Sequence, residues 1–159
     1  IFCNMTADGT LYDLSSLGLV NADKIGVVNG LIGLYLYSNQ IVTFNPTIAL
    51  PSSLTTLYLT SNQIVDFNPT IALPSSLTEL YLDSNQIETF NPTIPLPSSL
   101  IELYLGYNQM TLAGYTASEA WANAQPAFTN PCNVNSNGNI DSISGTNLEA
   151  ILLTKNCNI

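Results

Sequence analysis

The sequence predicts an α/β solenoid, a right-handed superhelix with a parallel β-sheet on its concave face and a mostly irregular convex side. Three observations lead to this prediction. A motif of 23 residues repeats with little change, and leucines alternate within each copy at the spacing of a short strand. Prolines in the second half of each copy exclude a helix there. Short helices are expected only near the C-terminus.

The repeats occupy residues 31–110 as three full copies and the first part of a fourth. Each copy spells L-x-x-L-x-L-x-x-N, and a fixed period in this range is typical of a solenoid. Such units bury a continuous core only by stacking on one another. The copies begin at Leu31, Leu54, Leu77 and Leu100.

The central L-x-L of each copy predicts a strand, because alternate strand residues face opposite sides of a sheet. The two leucines point inward and the residue between them points outward. Successive strands are expected to pair in parallel about 4.7–4.9 Å apart. The outward residues then form one column of tyrosines: Tyr35, Tyr58, Tyr81 and Tyr104.

An asparagine follows each strand, and we expect its side chain to turn inward. The amide supplies two donors and an acceptor, which satisfy backbone groups that lose their partners at the bend. This structural ladder consists of Asn39, Asn62, Asn85 and Asn108.

The second half of each copy, F-N-P-T-I-A/P-L-P-S-S, predicts an extended or polyproline-like path. Its apolar residues are expected to fill the core from the convex side. They are Phe44, Phe67 and Phe90, Ile48, Ile71 and Ile94, and Leu50, Leu73 and Leu96.

The flanking segments are predicted to be caps, so that residues 1–159 form a single domain. In the N-terminal cap, residues 1–30, the repeat pattern is echoed from Leu14 as L-x-x-L-x-L. Ile25, Val27 and Val28 are expected to cover the open end of the core. Asn4 begins a glycosylation sequon.

The C-terminal cap, residues 111–159, predicts two helices and two strands. Thr116-x-x-Glu119 predicts a capping box for the first helix, on which Trp121 is expected to cover the core rather than to anchor a ligand. A strand is expected around residues 132–134. Thr146-x-x-Glu149 caps a second helix, and residues 157–159 add a last strand.

Composition excludes several functions. Eleven acidic residues against two basic ones give a net charge of −9, which excludes a basic footprint for nucleic acid and attachment to anionic lipid. No apolar run reaches the 18 or so residues of a membrane-spanning helix. The chain begins at Ile1 rather than Met and shows no signal peptide, so we expect a processed form or a piece of a longer polypeptide.

The sequence offers no catalytic constellation. It has no histidine, so neither a Ser–His–Asp nor a Cys–His arrangement can form, and it contains no phosphate-binding glycine loop. We therefore predict a protein without enzymatic activity, cofactor or metal site.

Three cysteines, Cys3, Cys132 and Cys157, leave two alternatives open. Cys132 and Cys157 both lie in the C-terminal cap, where a disulfide is expected in an oxidising compartment. The other interpretation is that they are small, buried apolar thiols.

The tyrosine column is the strongest candidate for a binding surface, since tyrosine combines a flat apolar ring with a polar tip. The alternative is that identical side chains in register merely stabilise the sheet. Glu79, Asp83 and Glu102 form an acidic cluster on the same strands. The functional interpretation is a cation site or an acidic patch for a partner, and a solvated face is preferred over it. The predicted binding residues are Tyr35, Tyr37, Tyr58, Glu79, Tyr81, Asp83, Glu102, Tyr104 and Tyr107.

The repeats resemble those of leucine-rich-repeat proteins. The wording LPSSL-x-x-LYL-x-SNQI is similar to repeats of bacterial and bacteriophage proteins, and the tail NQMTLAGYTASEAWANA with SGTNLEAILLTKNCNI resembles the C-terminal cap of repeat proteins of tailed bacteriophages. The resemblance implies a non-catalytic recognition or adhesion module on a virion or cell surface, in an extracellular setting, that binds a protein or glycan of a host. Two alternatives remain: a structural decoration protein that contacts neighbouring virion subunits, and a secreted effector.

Overall fold

The computed structural model describes residues 6–23, 25 and 29–159. The predictions for Val27, Val28 and the sequon at Asn4 fall on residues outside this part of the chain. Cys3 also lies outside it. Ile25 is partly buried and packs against the core, as predicted.

Seven short strands form one parallel sheet in the described part of the chain, and they follow one another in sequence order. Each strand of the repeats pairs with its counterpart one period later, so Tyr35 is opposite Tyr58 and Tyr81 is opposite Tyr104. The predicted solenoid is confirmed. The strands are β1 (Leu11–Asp13), β2 (Gly33–Tyr35), β3 (Thr56–Tyr58), β4 (Glu79–Tyr81), β5 (Glu102–Tyr104), β6 (Cys132–Asn135) and β7 (Cys157–Asn158).

The strands of the repeats are three residues long because the chain turns soon after the second leucine. The turn places a residue in the left-handed region two positions beyond that leucine, at Ser38, Ser61 and Ser84 with φ of 55–56°, and at Tyr107 with φ of 52°. This sharp bend directs the following asparagine inward.

The core lies between the sheet and the convex segments. All the predicted inward leucines are buried, and Phe44, Phe67 and Phe90 stack at 6.0 Å between ring centroids with planes 10° apart. The prediction that Ile48, Ile71 and Ile94 fill the core was wrong: Ile48 is 55% exposed and the other two are partly exposed. The proline two positions earlier is buried instead, and the bend after it turns the isoleucine outward. The isoleucines of the core are those that follow the ladder: Ile41, Ile64 and Ile87.

The N-terminal cap contains a strand where the sequence predicts an irregular segment. Leu11 of β1 pairs with Gly33, so the offset to the first repeat is 22 residues. The repeat therefore does not restart at Leu14: this residue takes the place of Leu36, the last inward leucine of a strand. Leu17 takes the place of a ladder asparagine and is 46% exposed.

The first helix starts earlier than the capping-box pattern predicts. Helix α1 (Leu112–Ala124) is capped by Thr111, whose hydroxyl accepts a hydrogen bond from the Gly114 N–H at 3.3 Å. Thr116 is inside the helix and donates to the Leu112 carbonyl. The pattern failed because Thr111 directly follows the fourth repeat and is the first residue free to cap.

Other features of the C-terminal cap are confirmed. Helix α2 (Asn147–Thr154) starts at the cap Thr146, whose hydroxyl accepts from the Glu149 N–H at 3.2 Å. Trp121 is buried in the core and packs edge-on against Phe90 at 4.7 Å. Neither helix of the described residues is long and apolar enough to cross a membrane.

Candidate functional site on the concave sheet

A stack of three tyrosine rings runs along the middle of the sheet. The ring centroids of Tyr58 and Tyr81 are 4.2 Å apart with planes 11° apart, and those of Tyr81 and Tyr104 are 4.7 Å apart at 14°. Each side chain is partly exposed, because it leans on its neighbour while its outer edge faces solvent. We call Tyr58, Tyr81 and Tyr104 the tyrosine stack.

Tyr35 belongs to the same column but does not join the stack. Its ring is 5.0 Å from that of Tyr58 and nearly perpendicular to it, at 84°. The reason lies in Gly33, which stands where later repeats have Thr56, Glu79 and Glu102. A Cβ at Gly33 would be 3.1 Å from Cε1 of Tyr35 and 2.7 Å from the Leu11 side chain. The ring therefore turns into space that a side chain fills in the other copies.

Tyr37 extends the aromatic surface next to Tyr35. Its ring lies 6.4 Å from that of Tyr35 with planes 48° apart, and the residue is 37% exposed. The position is occupied by Thr60 in the next repeat. Together with Tyr58 and Asp13, these residues line a cleft of about 410 Å³. We call Asp13, Tyr35, Tyr37, Tyr58 and Thr60 the tyrosine cleft.

Tyr107 lies apart from the other predicted tyrosines. It stands in the turn after β5, at the position of Ser84 in the preceding repeat, and is 67% exposed. Its ring covers Gly138, where a Cβ would come within 2.5 Å of Cδ1. Tyr107 therefore lies in the turn, where its ring packs on Gly138, and not on the exposed face of the strands.

The three predicted carboxylates flank the tyrosine stack on both sides. Glu79 and Glu102 are register neighbours; Glu79 accepts from the Tyr81 hydroxyl at 3.3 Å, and Glu102 accepts from the Asn133 amide at 2.8 Å. Asp83 accepts from the Thr60 hydroxyl at 2.9 Å. Within the described residues, no group of three or more acidic or cysteine side chains is arranged to hold a metal ion.

These surroundings raise the pKa of two phenols of the stack. Burial is the main cause that raises the pKa of Tyr81, and the nearby Glu79 adds to it. The Glu102 carboxylate is the main cause that raises the pKa of Tyr104. The stack offers aromatic rings beside carboxylates, and the Tyr81 hydroxyl donates its hydrogen bond to Glu79.

The C-terminal end of the sheet carries amide groups that the sequence analysis did not single out. Strands β6 and β7 present Asn133, Asn135 and Asn158, and these residues line a cavity of about 370 Å³ together with Glu102 and Tyr104. The alternation in Cys-Asn-Val-Asn is the signal that predicts this face, since Val134 between two asparagines is buried.

The asparagine ladder has a fifth member that sequence reasoning missed. Asn139 donates to the carbonyls of Leu105 at 3.0 Å and Ser136 at 2.7 Å, and accepts from the Asn108 N–H at 3.0 Å. The signal was the spacing V-x-S-x-x-N, which keeps the repeat pattern with Val134 and Ser136 in place of leucines. The ladder therefore continues through the C-terminal cap.

Cys132 and Cys157 are brought together as register neighbours on β6 and β7. Both are buried and carry free thiols. A hydrogen bond shared with Cys157, together with burial, raises the pKa of the Cys132 thiol. The pair is positioned in the core and away from the tyrosine stack.

Comparison with known families supports the fold. Residues 52–98 match the sequence profile of leucine rich repeats (2 copies). This match and the seven-stranded parallel sheet identify a leucine-rich-repeat solenoid. Domains with this fold typically mediate protein binding and are usually non-catalytic. The comparison with curated proteins gave no match for this chain.

Proposed function

We propose that the chain is a non-catalytic recognition module that binds a protein or glycan partner through its concave strand face. We further propose that it acts as a component of a virion or cell surface. The protein-binding role typical of leucine-rich repeats supports the first part. The resemblance of the repeats and the C-terminal cap to bacteriophage proteins supports the second.

The observation that carries the proposal is the tyrosine stack. Tyrosine is enriched among the residues that dominate binding energy, because a large ring is immobilised with few rotatable bonds and its hydroxyl specifies orientation. Here Tyr81 is held between two neighbours at 4.2 and 4.7 Å. Rings that are ordered before contact lose little entropy on binding.

The polar groups around the tyrosine stack indicate the chemistry of the partner surface. Glu79 and Glu102 on one side and Asp83 on the other give this surface carboxylate acceptors, within a chain of net charge −9. A partner surface with hydrogen-bond donors and positive charge complements it, and such complementarity speeds association at low salt.

The double substitution Tyr58→Ser and Tyr81→Ser tests the proposal. It removes the centre of the stack but no buried leucine, so we expect binding to an array of glycans or surface proteins to be lost while the circular dichroism spectrum is kept. The matched control is Val42→Ser with Val65→Ser, two residues each 46% exposed at equivalent positions outside the sheet. Binding that survives the tyrosine substitutions would refute a role for the concave face.

The two valine substitutions also test a second candidate function, in which the chain packs against neighbouring subunits of a particle. Exposed apolar side chains outside the sheet favour it, namely Val42, Val65 and Ile48. If this candidate is correct, the valine substitutions and not the tyrosine substitutions prevent assembly, as measured by analytical ultracentrifugation or by incorporation into particles.

A further inference from the structure

We propose that the tyrosine cleft is a binding site for a quaternary ammonium group. The cleft brings three aromatic rings and one carboxylate around a volume of about 410 Å³, within the range of small-ligand pockets. The proposal deepens the proposed function, since it places a defined subsite at one end of the same sheet, and it rests on that function only for the choice of face.

Ring geometry distinguishes the cleft from the rest of the column. The tyrosine stack presents nearly parallel rings, with planes 11° and 14° apart. In the cleft, Tyr35 stands at 84° to Tyr58 and at 48° to Tyr37. Non-parallel rings provide several walls around one volume, which is the arrangement that receives a compact cation through cation–π attraction. A sugar ring, in contrast, stacks on one flat aromatic face.

Charge supplies the second argument. Asp13 lines the cleft and is opposite Tyr35 in the register of β1 and β2. Its carboxylate accepts a hydrogen bond from the Ser15 backbone N–H at 2.9 Å, and this neutral donor fixes the side chain without cancelling its charge. Glu79 and Asp13 both act on the Tyr35 phenol, where they add to the burial that raises its pKa. The cleft is thus negative as well as aromatic.

The repeat itself explains why the site occurs once in the column. Its two special features are Gly33, which lets the Tyr35 ring turn, and Tyr37, which replaces the threonine of the next copy. Methylated ammonium groups suit such a site better than a primary ammonium group, because they cost less to desolvate and have no N–H to satisfy. The ligand class is therefore a choline-like headgroup or a trimethylated lysine side chain.

The whole chain is titrated with choline, phosphocholine and a trimethyllysine peptide. Binding is measured by isothermal titration calorimetry and by NMR of the tyrosine ring protons. We expect saturable binding of at least one of these compounds. Tighter binding of choline or phosphocholine indicates a headgroup as the ligand, and tighter binding of the peptide indicates a trimethylated lysine side chain. The neutral isostere of choline, 3,3-dimethylbutan-1-ol, is expected to bind at least about tenfold more weakly. Equal binding of choline and its neutral isostere, or no binding of any of the three cations, would overturn the proposal.

Variants drawn from the chain's own repeats locate the site. Tyr37→Thr introduces the residue of the next copy, so the fold is expected to tolerate it, and it should weaken choline binding at least about fivefold. Gly33→Thr should have a similar effect on binding, although its Cβ must displace the flexible end of the Leu11 side chain. Asp13→Asn should weaken choline binding as well. The control Gln86→Ala, at an exposed position outside the sheet, should leave it unchanged. Wild-type affinity in Tyr37→Thr and Asp13→Asn would also overturn the proposal.

The outcomes separate this inference from the proposed function. If choline binds while no macromolecular partner depends on Tyr81, the quaternary ammonium site is supported and the recognition role of the tyrosine stack is refuted. If substitution of Tyr81 abolishes partner binding but no quaternary ammonium compound binds, the recognition role is supported and the quaternary ammonium site is refuted.

Discussion

Asn85 shows how one side chain joins three parts of the backbone. Its amide donates to the Leu59 and Leu82 carbonyls, each at 3.0 Å, and its oxygen accepts from the Ile64 N–H at 3.0 Å. Two of these groups belong to the preceding repeat and one to its own. The side chain is 5% exposed, so water does not replace a lost partner easily. Asn85 therefore connects adjacent copies in addition to the strand pairing.

Substitution of Asn85 by alanine is expected to cost several kcal/mol of unfolding free energy. It leaves the buried N–H of Ile64 unpaired, at about 1–3 kcal/mol. It also removes one hydrogen bond each from the Leu59 and Leu82 carbonyls, at about 0.5–1.5 kcal/mol, although these carbonyls keep their bonds from Asn62 and Asn108. Urea denaturation measures the loss. The exposed neighbour Gln86→Ala is the control and should change stability little. A cost for Asn85→Ala no larger than that of the control would contradict the role assigned to the ladder.

At the scale of elements, helix α1 replaces the irregular convex segment of the earlier copies and attaches to the third repeat by polar contacts. Ser118 donates to the Gly114 carbonyl and accepts from the Phe90 N–H, both at 2.8 Å. Gln125 is fully buried and hydrogen-bonds both the N–H and the carbonyl of Leu96. These side chains satisfy convex backbone groups that have no further repeat to pair with.

Gly114 lets α1 approach the third repeat closely, since a Cβ there would collide with the carbonyl oxygen of Glu88. Glycine to alanine inside a helix ordinarily stabilises by about 1 kcal/mol. At Gly114 we expect the opposite sign, a loss of about 1–3 kcal/mol, because the helix must move away from the third repeat.

Thermal melting of Gly114→Ala tests this sign. Ala117→Gly on the exposed side of the same helix gives the propensity effect alone, about 1 kcal/mol of destabilisation. A Gly114→Ala variant that melts at a higher temperature than the wild type would show that the helix does not need this close approach.

At the scale of the whole molecule, stability is a sum over units that contact their neighbours. Strand β2 pairs with β3 in the same register in which β3 pairs with β4 one period later. The contacts of the asparagine ladder, of the stacked phenylalanines and of the serines recur in the same way. Ser53, Ser76 and Ser99, for instance, each donate to the carbonyl of the leucine that begins their own copy, 22 residues earlier. One full copy can therefore be removed without changing the interface that remains.

Deletion of residues 54–76 tests this additivity. It joins Ser53 to Leu77, which reproduces the junction that Ser76 makes in the intact chain. We expect a folded protein with one strand fewer and a lower urea midpoint, since one unit and one interface are lost. Circular dichroism and size-exclusion chromatography report the fold.

The control deletion removes residues 57–62, which takes the two inward leucines and the ladder asparagine out of one copy and leaves the rest of that copy in place. The remainder has no strand to pair with either neighbour, so this shorter deletion should destabilise the fold more than removal of the whole copy. If both deletions unfold the chain equally, the copies are not interchangeable units.

The repeating pattern by itself determined the fold, the inward leucines, the tyrosine column and the asparagine ladder from Asn39 to Asn108. It could do so because each copy meets a copy like itself, so one local pattern fixes every interface in the array. Thr146 as the cap of α2 was equally local, since the hydroxyl bonds a group three residues away.

Only the tertiary structure decided what happens where the copies differ. The turned ring of Tyr35 depends on the space above Gly33 and on Tyr37, and the start of α1 at Thr111 depends on where the fourth repeat ends. The outward side chain of Ile48 follows from the bend after the buried Pro46, which the alternation of apolar residues does not reveal. Other features depend on another turn of the solenoid: the Tyr35 ring meets Tyr58 one period later, and Asn139 bonds the Leu105 carbonyl of the preceding turn. A single copy does not contain these partners, so its pattern cannot predict the contacts.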